Sequence, residues 1–178
     1  MDRAALLLTG LGAVGWAAFP ASAITGGLLL AAGAANLVRL ARWRGWVAAR
    51  EPLVWSLHVG YGWLGIGLAM LGASRLTDQI PQTTGVHALT TGAIGVMTLA
   101  VMTRASRGHT GRPLAADAAT TALFAAINGA AVLRLAAPFA GASQPALLIV
   151  SAAFWTLAFG GFAVCYGRML STSRPALS

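Results

Sequence analysis

Charged residues and cysteine are scarce in this 178-residue chain, and each scarcity excludes a class of protein. Only 9% of the residues are charged, against about 25% in an ordinary soluble domain. The single cysteine, Cys165, excludes an internal disulfide framework and a metal cage built from cysteine alone. Paired carboxylates, a GxxxxGK(S/T) phosphate loop and a GxSxG nucleophile turn are also missing from the sequence. Hydrolase and nucleotide-driven functions therefore have no residues to support them.

Apolar residues and glycine, by contrast, are abundant. Hydrophobic residues make up 57% of the chain, and the mean hydropathy is +0.74. The 22 glycines suit a membrane protein, because small residues let helix backbones approach each other in the bilayer. The composition therefore predicts an all-α integral membrane protein. No linker is long enough to separate two soluble domains, so we expect residues 1–178 to form one domain.

Six apolar segments predict a bundle of six transmembrane helices, since a helix needs about 20 residues to cross the ~30 Å hydrocarbon layer. Prolines at or just outside the segment ends support the divisions, because a missing N–H does no harm there. The sequence Ala21-Ser22-Ala23 also fits a signal-peptidase site, but Asp2 cancels a positive n-region and favours an uncleaved first span. The predicted spans are 4–19, 22–41, 52–73, 82–104, 115–136 and 145–167.

The arginines predict the orientation of the bundle, because basic residues near short loops mark the cytoplasmic face. With the N-terminus inside, only Arg75 and Arg134 fall on the opposite face. We therefore predict that both termini are cytoplasmic. Basic residues collected at helix ends favour anionic lipid headgroups, not nucleic acid, as partners. The arginines assigned to the cytoplasmic side are Arg3, Arg39, Arg42, Arg44, Arg50, Arg104, Arg107, Arg112, Arg168 and Arg174.

The three histidines all lie on the third and fourth spans or just after them, at His58, His87 and His109. A polar ring in the hydrocarbon region is costly unless it is hydrogen-bonded or bound to a metal. An intramembrane histidine is therefore a candidate functional residue, and we interpret these three as candidate metal ligands. The alternative is an imidazole that only bonds to a serine, a threonine or a carbonyl of a neighbouring helix.

Glycines follow two of these histidines at helical spacing. Gly62 and Gly65 share a helix face with His58, and Gly92 follows His87, since residues three and four apart lie on one face. A strip of helix without side chains beside a metal ligand can accept a flat tetrapyrrole, so we predict that these glycines contact a cofactor. The alternative is close helix–helix packing of the small-xxx-small kind.

Further polar groups on the fourth and fifth spans are candidates for binding. Arg107, His109 and Arg112 surround the end of the fourth span, where the helix dipole favours cations. Arginine binds carboxylates in a bidentate manner, so these residues either hold the propionates of a haem or anchor the chain at the cytoplasmic face. Asn128, near the middle of the fifth span, either bonds to another helix or lines a ligand cavity.

Two stretches carry a resemblance to a known family: REPLVWSLHVGYGW (50–63) and GVHALTTGAIGVMTLAVMTRASRGHTGRPL (85–114). They closely resemble the C-terminal half of the NnrS family, membrane proteins associated with haem and copper and with bacterial defence against nitric oxide. The resemblance marks His58, His87 and the His109-Thr110-Gly111-Arg112-Pro113 turn as characteristic residues. It implies a multi-pass protein of the bacterial cytoplasmic membrane with haem, of the b type, as cofactor and copper as a second candidate. The family's N-terminal half, with its histidine-rich HxHEM-type helix, is missing from this chain.

The depths of His58 and His87 predict that they serve different sites. Each lies six residues after a proline that begins its span, or about 9 Å from opposite faces at 1.5 Å per residue. Their separation along the normal of a ~30 Å layer is then about 12 Å, whereas two ligands of one metal lie within about 4 Å. We therefore predict His58 on the cytoplasmic side, with His109 as a candidate co-ligand, and His87 on the periplasmic side.

A parallel homodimer is predicted on the same grounds, because it would restore the two-half architecture of the family and place like histidines at equal depth. A partner membrane subunit is the alternative. The expected function is protection against nitrosative stress by binding or turning over nitric oxide at the metal. A b-type electron-transfer cytochrome and a cofactor-free transporter or assembly subunit remain alternatives. No catalytic residue is indicated, and the sequence leaves open whether the protein is an enzyme.

Overall fold

The computed structural model describes residues 2–43, 45 and 51–171, and this part of the chain folds into six helices without a strand. The predicted all-α fold is therefore confirmed for these residues. Arg44, Arg50 and Arg174, which contributed to the predicted orientation, lie outside them. The helices are α1 (Asp2–Ala18), α2 (Ala23–Arg42), α3 (Pro52–Ala73), α4 (Gln82–His109), α5 (Ala118–Ala136) and α6 (Gln144–Ser171).

Five of the described helices, α2 to α6, are long and apolar enough to cross a membrane. The multi-pass architecture expected from the composition is thus confirmed for these five. Helix α1 has 17 residues and spans about 26 Å at 1.5 Å per residue, a little less than the ~30 Å hydrocarbon layer. A sixth crossing by α1 and the cytoplasmic location of both termini stay predictions.

Helices α2 and α3 pack backbone to backbone through glycine. A Cβ atom on Gly33 would lie 2.7 Å from the carbonyl oxygen of Gly65, and one on Gly72 would lie 2.6 Å from that of Gly26. No larger residue fits at these contacts without moving a helix. Helices in a bilayer have no hydrophobic driving force to associate. Close van der Waals packing at these glycines therefore holds α2 against α3.

Helix α4 contains a wider, π-helical segment at Ala88–Gly95, directly after His87. Such segments are rare and occur often at functional sites. The helix continues to His109, beyond the predicted end at 104. It ends there because Gly111, with φ of 69°, lets the N–H of Arg112 bond to the carbonyl of Arg107 at 3.0 Å. This is the hydrogen-bond pattern of a Schellman cap.

Two buried clusters of apolar side chains hold the helices together. The larger lies between α3, α4, α5 and α6 and includes Leu53, Leu99 and Phe124. The smaller joins α2 to α3 and α4 around Leu29 and Leu71. Helices α3 and α4 both contribute to the two clusters, and they carry His58 and His87.

Candidate functional site

His58 lies on α3 with one ring nitrogen already engaged by the backbone. Its Nδ1 is 3.0 Å from the carbonyl oxygen of Val54. A carbonyl can only accept, so Nδ1 carries a proton, and in the neutral imidazole Nε2 then keeps its lone pair. The ring of Trp43 approaches the imidazole edge-on, with centroids 6.0 Å apart. His58 is thus held in the tautomer and orientation of a metal-ligating histidine.

The imidazole of His58 lines a cavity of about 460 Å³ between α2, α3 and α5, hereafter the inner cavity. Its walls are mostly aliphatic, and its polar side chains are His58, Trp63 and Asn128. Gly62, one turn after His58, lies in the wall, and its contact with a cofactor stays a prediction. The lining residues are Leu40, Ala41, Gly45, His58, Val59, Gly62, Trp63, Ile66, Asn128 and Val132.

Asn128 both joins two helices and lines the inner cavity, so the two roles considered for it occur together. Its side-chain oxygen accepts from the indole N–H of Trp63 at 2.9 Å, and its amide nitrogen donates to the carbonyl of Phe124 at 2.8 Å. The bonds satisfy the indole and fix the amide. The polar wall of the cavity is therefore set in one orientation.

Gly65 and Gly92 do not line any cavity described for the chain, and protein occupies the space that a cofactor would need beside them. A Cβ atom on Gly65 would meet Leu37 at 2.7 Å, and one on Gly92 would meet the ring of Trp63 at 2.7 Å. These two glycines lie in helix–helix contacts, as the alternative interpretation held. Gly62 alone of the three predicted glycines faces an open cavity.

His87 lines a different cavity, of about 400 Å³, hereafter the outer cavity. It lies at the end of the bundle where α4 begins and α5 ends, because Arg134 from the last turn of α5 shares its wall. His58 and His87 therefore face separate spaces. The lining residues are His87, Thr90, Thr91, Arg134, Ser151, Ala152, Trp155 and Thr156.

His109 is exposed at the end of α4 and lines neither of these cavities. It borders a third space of about 320 Å³, together with Arg104 and Leu114. The structure thus does not bring His109 to the wall on which His58 lies. Its role as a co-ligand of His58 has no support from this arrangement.

Arg107 pairs with a carboxylate of the protein, a partner that the sequence analysis did not consider. Its Nη2 lies 3.4 Å from Oδ2 of Asp117, and its side chain is only 11% exposed. Asp117 also caps α5, because its Oδ1 accepts from the N–H of Thr120 at 2.8 Å. Hydrogen bonds from Thr120 and then the guanidinium of Arg107 lower the pKa of Asp117. The predicted propionate contact of Arg107 would have to compete with this pair, whereas that of Arg112 stays a prediction.

A polar network inside the apolar spans was also missed. Tyr61 donates to the side-chain oxygen of Asn36, whose amide nitrogen donates to Thr9 at 2.9 Å. Arg39 donates to Tyr61 at 3.1 Å and pairs with Asp2 at 3.0 Å. The network ties α1 and α2 to α3. Polar residues that interrupt an apolar segment need hydrogen-bond partners on another helix. That signal was present in the sequence at Asn36, Arg39 and Tyr61.

Within residues 2–43, 45 and 51–171, no group of three or more His, Cys, Asp or Glu side chains is placed to hold a metal ion. The sequence matches a family model described as "NnrS protein" over residues 1–174. No curated protein and no solved structure matches it. Because the match covers nearly the whole chain, this protein belongs to the NnrS family.

Proposed function

We propose that this chain is a haem-binding membrane protein of the nitric oxide response, with Nε2 of His58 as the axial ligand. The observation that carries the proposal is an imidazole whose Nδ1 is engaged by Val54 and whose ring lines a mostly apolar cavity of about 460 Å³. Membership of the NnrS family supports the link to nitric oxide. The membrane location proposed is the bacterial cytoplasmic membrane.

The donor set favours haem over copper. A copper ion is held by several protein ligands, such as imidazoles and thiolates at one centre. Haem brings its own equatorial nitrogens and takes only axial ligands from the protein. No cluster of three candidate ligands occurs in the described residues. A single well-oriented histidine therefore suits haem, and copper is the second candidate.

Gly45 packs against the edge of the His58 ring that carries Cδ2 and Nε2. A Cβ atom at this position would lie 2.6 Å from Cδ2 and 3.2 Å from Nε2 of the imidazole. A side chain there would cover the nitrogen that binds the metal.

The remaining walls of the inner cavity supply the environment. Val59, Ile66 and Val132 give apolar surface, which excludes water and suits an uncharged gas. Trp63 and Asn128 are uncharged, and the indole N–H of Trp63 donates to Asn128 at 2.9 Å. When bound, ferrous haem supplies an iron centre with affinity for nitric oxide.

His87 is the second proposed ligand, but its surroundings differ from those of His58. Arg134 lines the same outer cavity, and a guanidinium opposes a bare metal cation nearby. The proposal therefore assigns the main haem signal to His58. It also retains separate sites for the two histidines.

The test is the absorption spectrum and metal content of the protein purified in detergent. His58→Ala and His87→Ala should remove different fractions of the bound haem or metal, with the larger loss for His58→Ala, and the double variant should lose all of it. Nitric oxide added to the reduced protein should shift the spectrum. A folded His58→Ala variant with full haem content would overturn the assignment, and complete loss in each of the two single variants would indicate one shared site.

A second variant separates ligation from folding. Gly45→Ala keeps His58 but places a methyl group against its ring, so haem content should fall severalfold. Gly27→Ala is the matched control, since nothing lies within 4 Å of its added Cβ. Equal haem content in the Gly45→Ala and Gly27→Ala variants would contradict a ligand role for Nε2.

A further inference from the structure

Arg134 is a cation to which the described residues supply no counter-charge. The chain has four acidic residues. Asp2 pairs with Arg39 and Asp117 pairs with Arg107. The other two, Glu51 and Asp78, are not among the residues that line the outer cavity with Arg134. Within the described residues, the guanidinium of Arg134 forms no ion pair.

The outer cavity around Arg134 is rich in hydrogen-bond donors. Every lining residue except Ala152 carries a polar side-chain atom. Thr90 and Ser151 donate to the backbone carbonyls of Val86 and Ala130, at 2.9 and 2.8 Å. The hydroxyl groups of Thr91 and Thr156 make no hydrogen bond within the described part of the chain. The cavity thus offers a guanidinium and two free hydroxyls, but no carboxylate to neutralise them.

Arg134 lies in the last turn of α5, at one end of the bundle, and its guanidinium has no carboxylate partner among the described residues. The ligand that best satisfies a guanidinium and neighbouring hydroxyls carries negative charge on several oxygen atoms. Water alone would satisfy the hydroxyls but would leave the charge unneutralised. The mostly apolar inner cavity has no such cation, so the outer cavity is the one suited to an anion.

We propose that the outer cavity binds an oxyanion at Thr91, Arg134 and Thr156, beside the imidazole of His87 that is the second proposed metal ligand. Its volume of about 400 Å³ admits a small ion with its water, since a water molecule in the liquid occupies about 30 Å³. The anion has two sources of the same chemistry: a free ion such as phosphate or nitrate, or the phosphate of a lipid headgroup. The site does not depend on a metal at His58.

The first arm of the test measures free anions. The protein is purified in a neutral detergent without phosphate, and inorganic phosphate and then nitrate are titrated by calorimetry. Arg134→Gln should weaken binding at least tenfold. Arg75→Gln is the matched control, because it removes an equal charge from the arginine predicted to lie on the same membrane face. If both variants weaken binding equally, non-specific electrostatics explain it and the proposal fails.

The second arm tests the lipid source by native mass spectrometry of phospholipid that stays bound after purification. Retained lipid that disappears in Arg134→Gln but not in Arg75→Gln supports the site with a headgroup as its occupant. Should Arg134→Gln not fold, the Thr91→Val and Thr156→Val pair keeps the shape and removes two donors, and it should also weaken binding. Wild-type protein that neither binds the free ions nor retains lipid through Arg134 overturns the proposal.

Discussion

The indole N–H of Trp63 donates to the side-chain oxygen of Asn128 at 2.9 Å, and this bond joins α3 to α5 across one wall of the inner cavity. Trp63 also covers the place beside Gly92 where a larger side chain on α4 would otherwise lie. One aromatic residue therefore contacts both helices that flank α3 on this side. The shape of the His58 cavity depends on this bond.

Replacement of Asn128 by leucine should destabilise the protein. The change keeps the side-chain size but leaves the Trp63 N–H without an acceptor, at a cost of about 1–3 kcal/mol. The measurement is the thermal midpoint in detergent. In a Trp63→Phe background the donor is gone, so the added cost of Asn128→Leu should shrink. An equal cost in both backgrounds would show that the bond does not carry the effect.

Replacement of Gly72 by alanine should loosen the contact between α2 and α3. Its Cβ would lie 2.6 Å from the carbonyl oxygen of Gly26, so the helices must separate at a cost of about 1–3 kcal/mol. Gly27→Ala is the control in the same helix pair, because its Cβ meets nothing within 4 Å. Thermal unfolding should show a lower midpoint for the Gly72 variant alone. A Gly72→Ala protein as stable as the control would refute the backbone contact.

Two substitutions at Asp117 separate its cap from its ion pair. Asp117→Ala loses both and should cost about 0.5–2 kcal/mol, the usual range for a lost N-cap. Asp117→Asn keeps a good cap and loses only the ion pair with Arg107. The pair is worth about 0–1 kcal/mol because the side chain of Asp117 is exposed. Unfolding midpoints of the two variants measure the difference. If Asp117→Asn lowers the unfolding midpoint as much as Asp117→Ala does, the ion pair contributes more to stability than the cap.

The pH dependence at Asp117 follows from the lowered pKa of its carboxyl group. A carboxyl with a lower pKa in the folded state stabilises the protein above its unfolded pKa of about 4, and this stabilisation is lost as the pH falls through the folded value. The midpoint difference between wild type and Asp117→Asn should therefore be constant near neutral pH and shrink below about pH 4. A difference that grows in acid would contradict this sign.

The predicted orientation is tested by reporter fusions. The excess of arginine at one end predicts cytoplasmic behaviour for fusions after Arg112 and periplasmic behaviour for fusions near Asp78 and Gly141. Activity of a periplasmic reporter at Arg112 would reverse the assignment. The inner and outer cavities would then exchange sides of the membrane, although their lining would not change.

Much of the fold was predictable from the sequence because the medium constrains it strongly. Composition determined the membrane setting, and long apolar segments determined helices, since a bilayer leaves backbone groups no partner outside the segment. The start of α3 at Pro52 followed from the proline itself. The end of α4 was predicted too early, at the first arginine of its last turns. The helix in fact continues until the left-handed conformation of Gly111 caps it.

Only the tertiary structure decided which predicted residues meet. Helical spacing placed Gly62 and Gly65 on one face of α3, but it does not state which neighbouring helix covers that face. Leu37 of α2 fills the space at Gly65, whereas the wall at Gly62 stays open. In the same way, the pairing of Arg107 with Asp117 and the shared cavity of His87 and Arg134 join residues from different helices. Such contacts depend on how the helices pack against one another, and the periodicity of a single helix does not specify that.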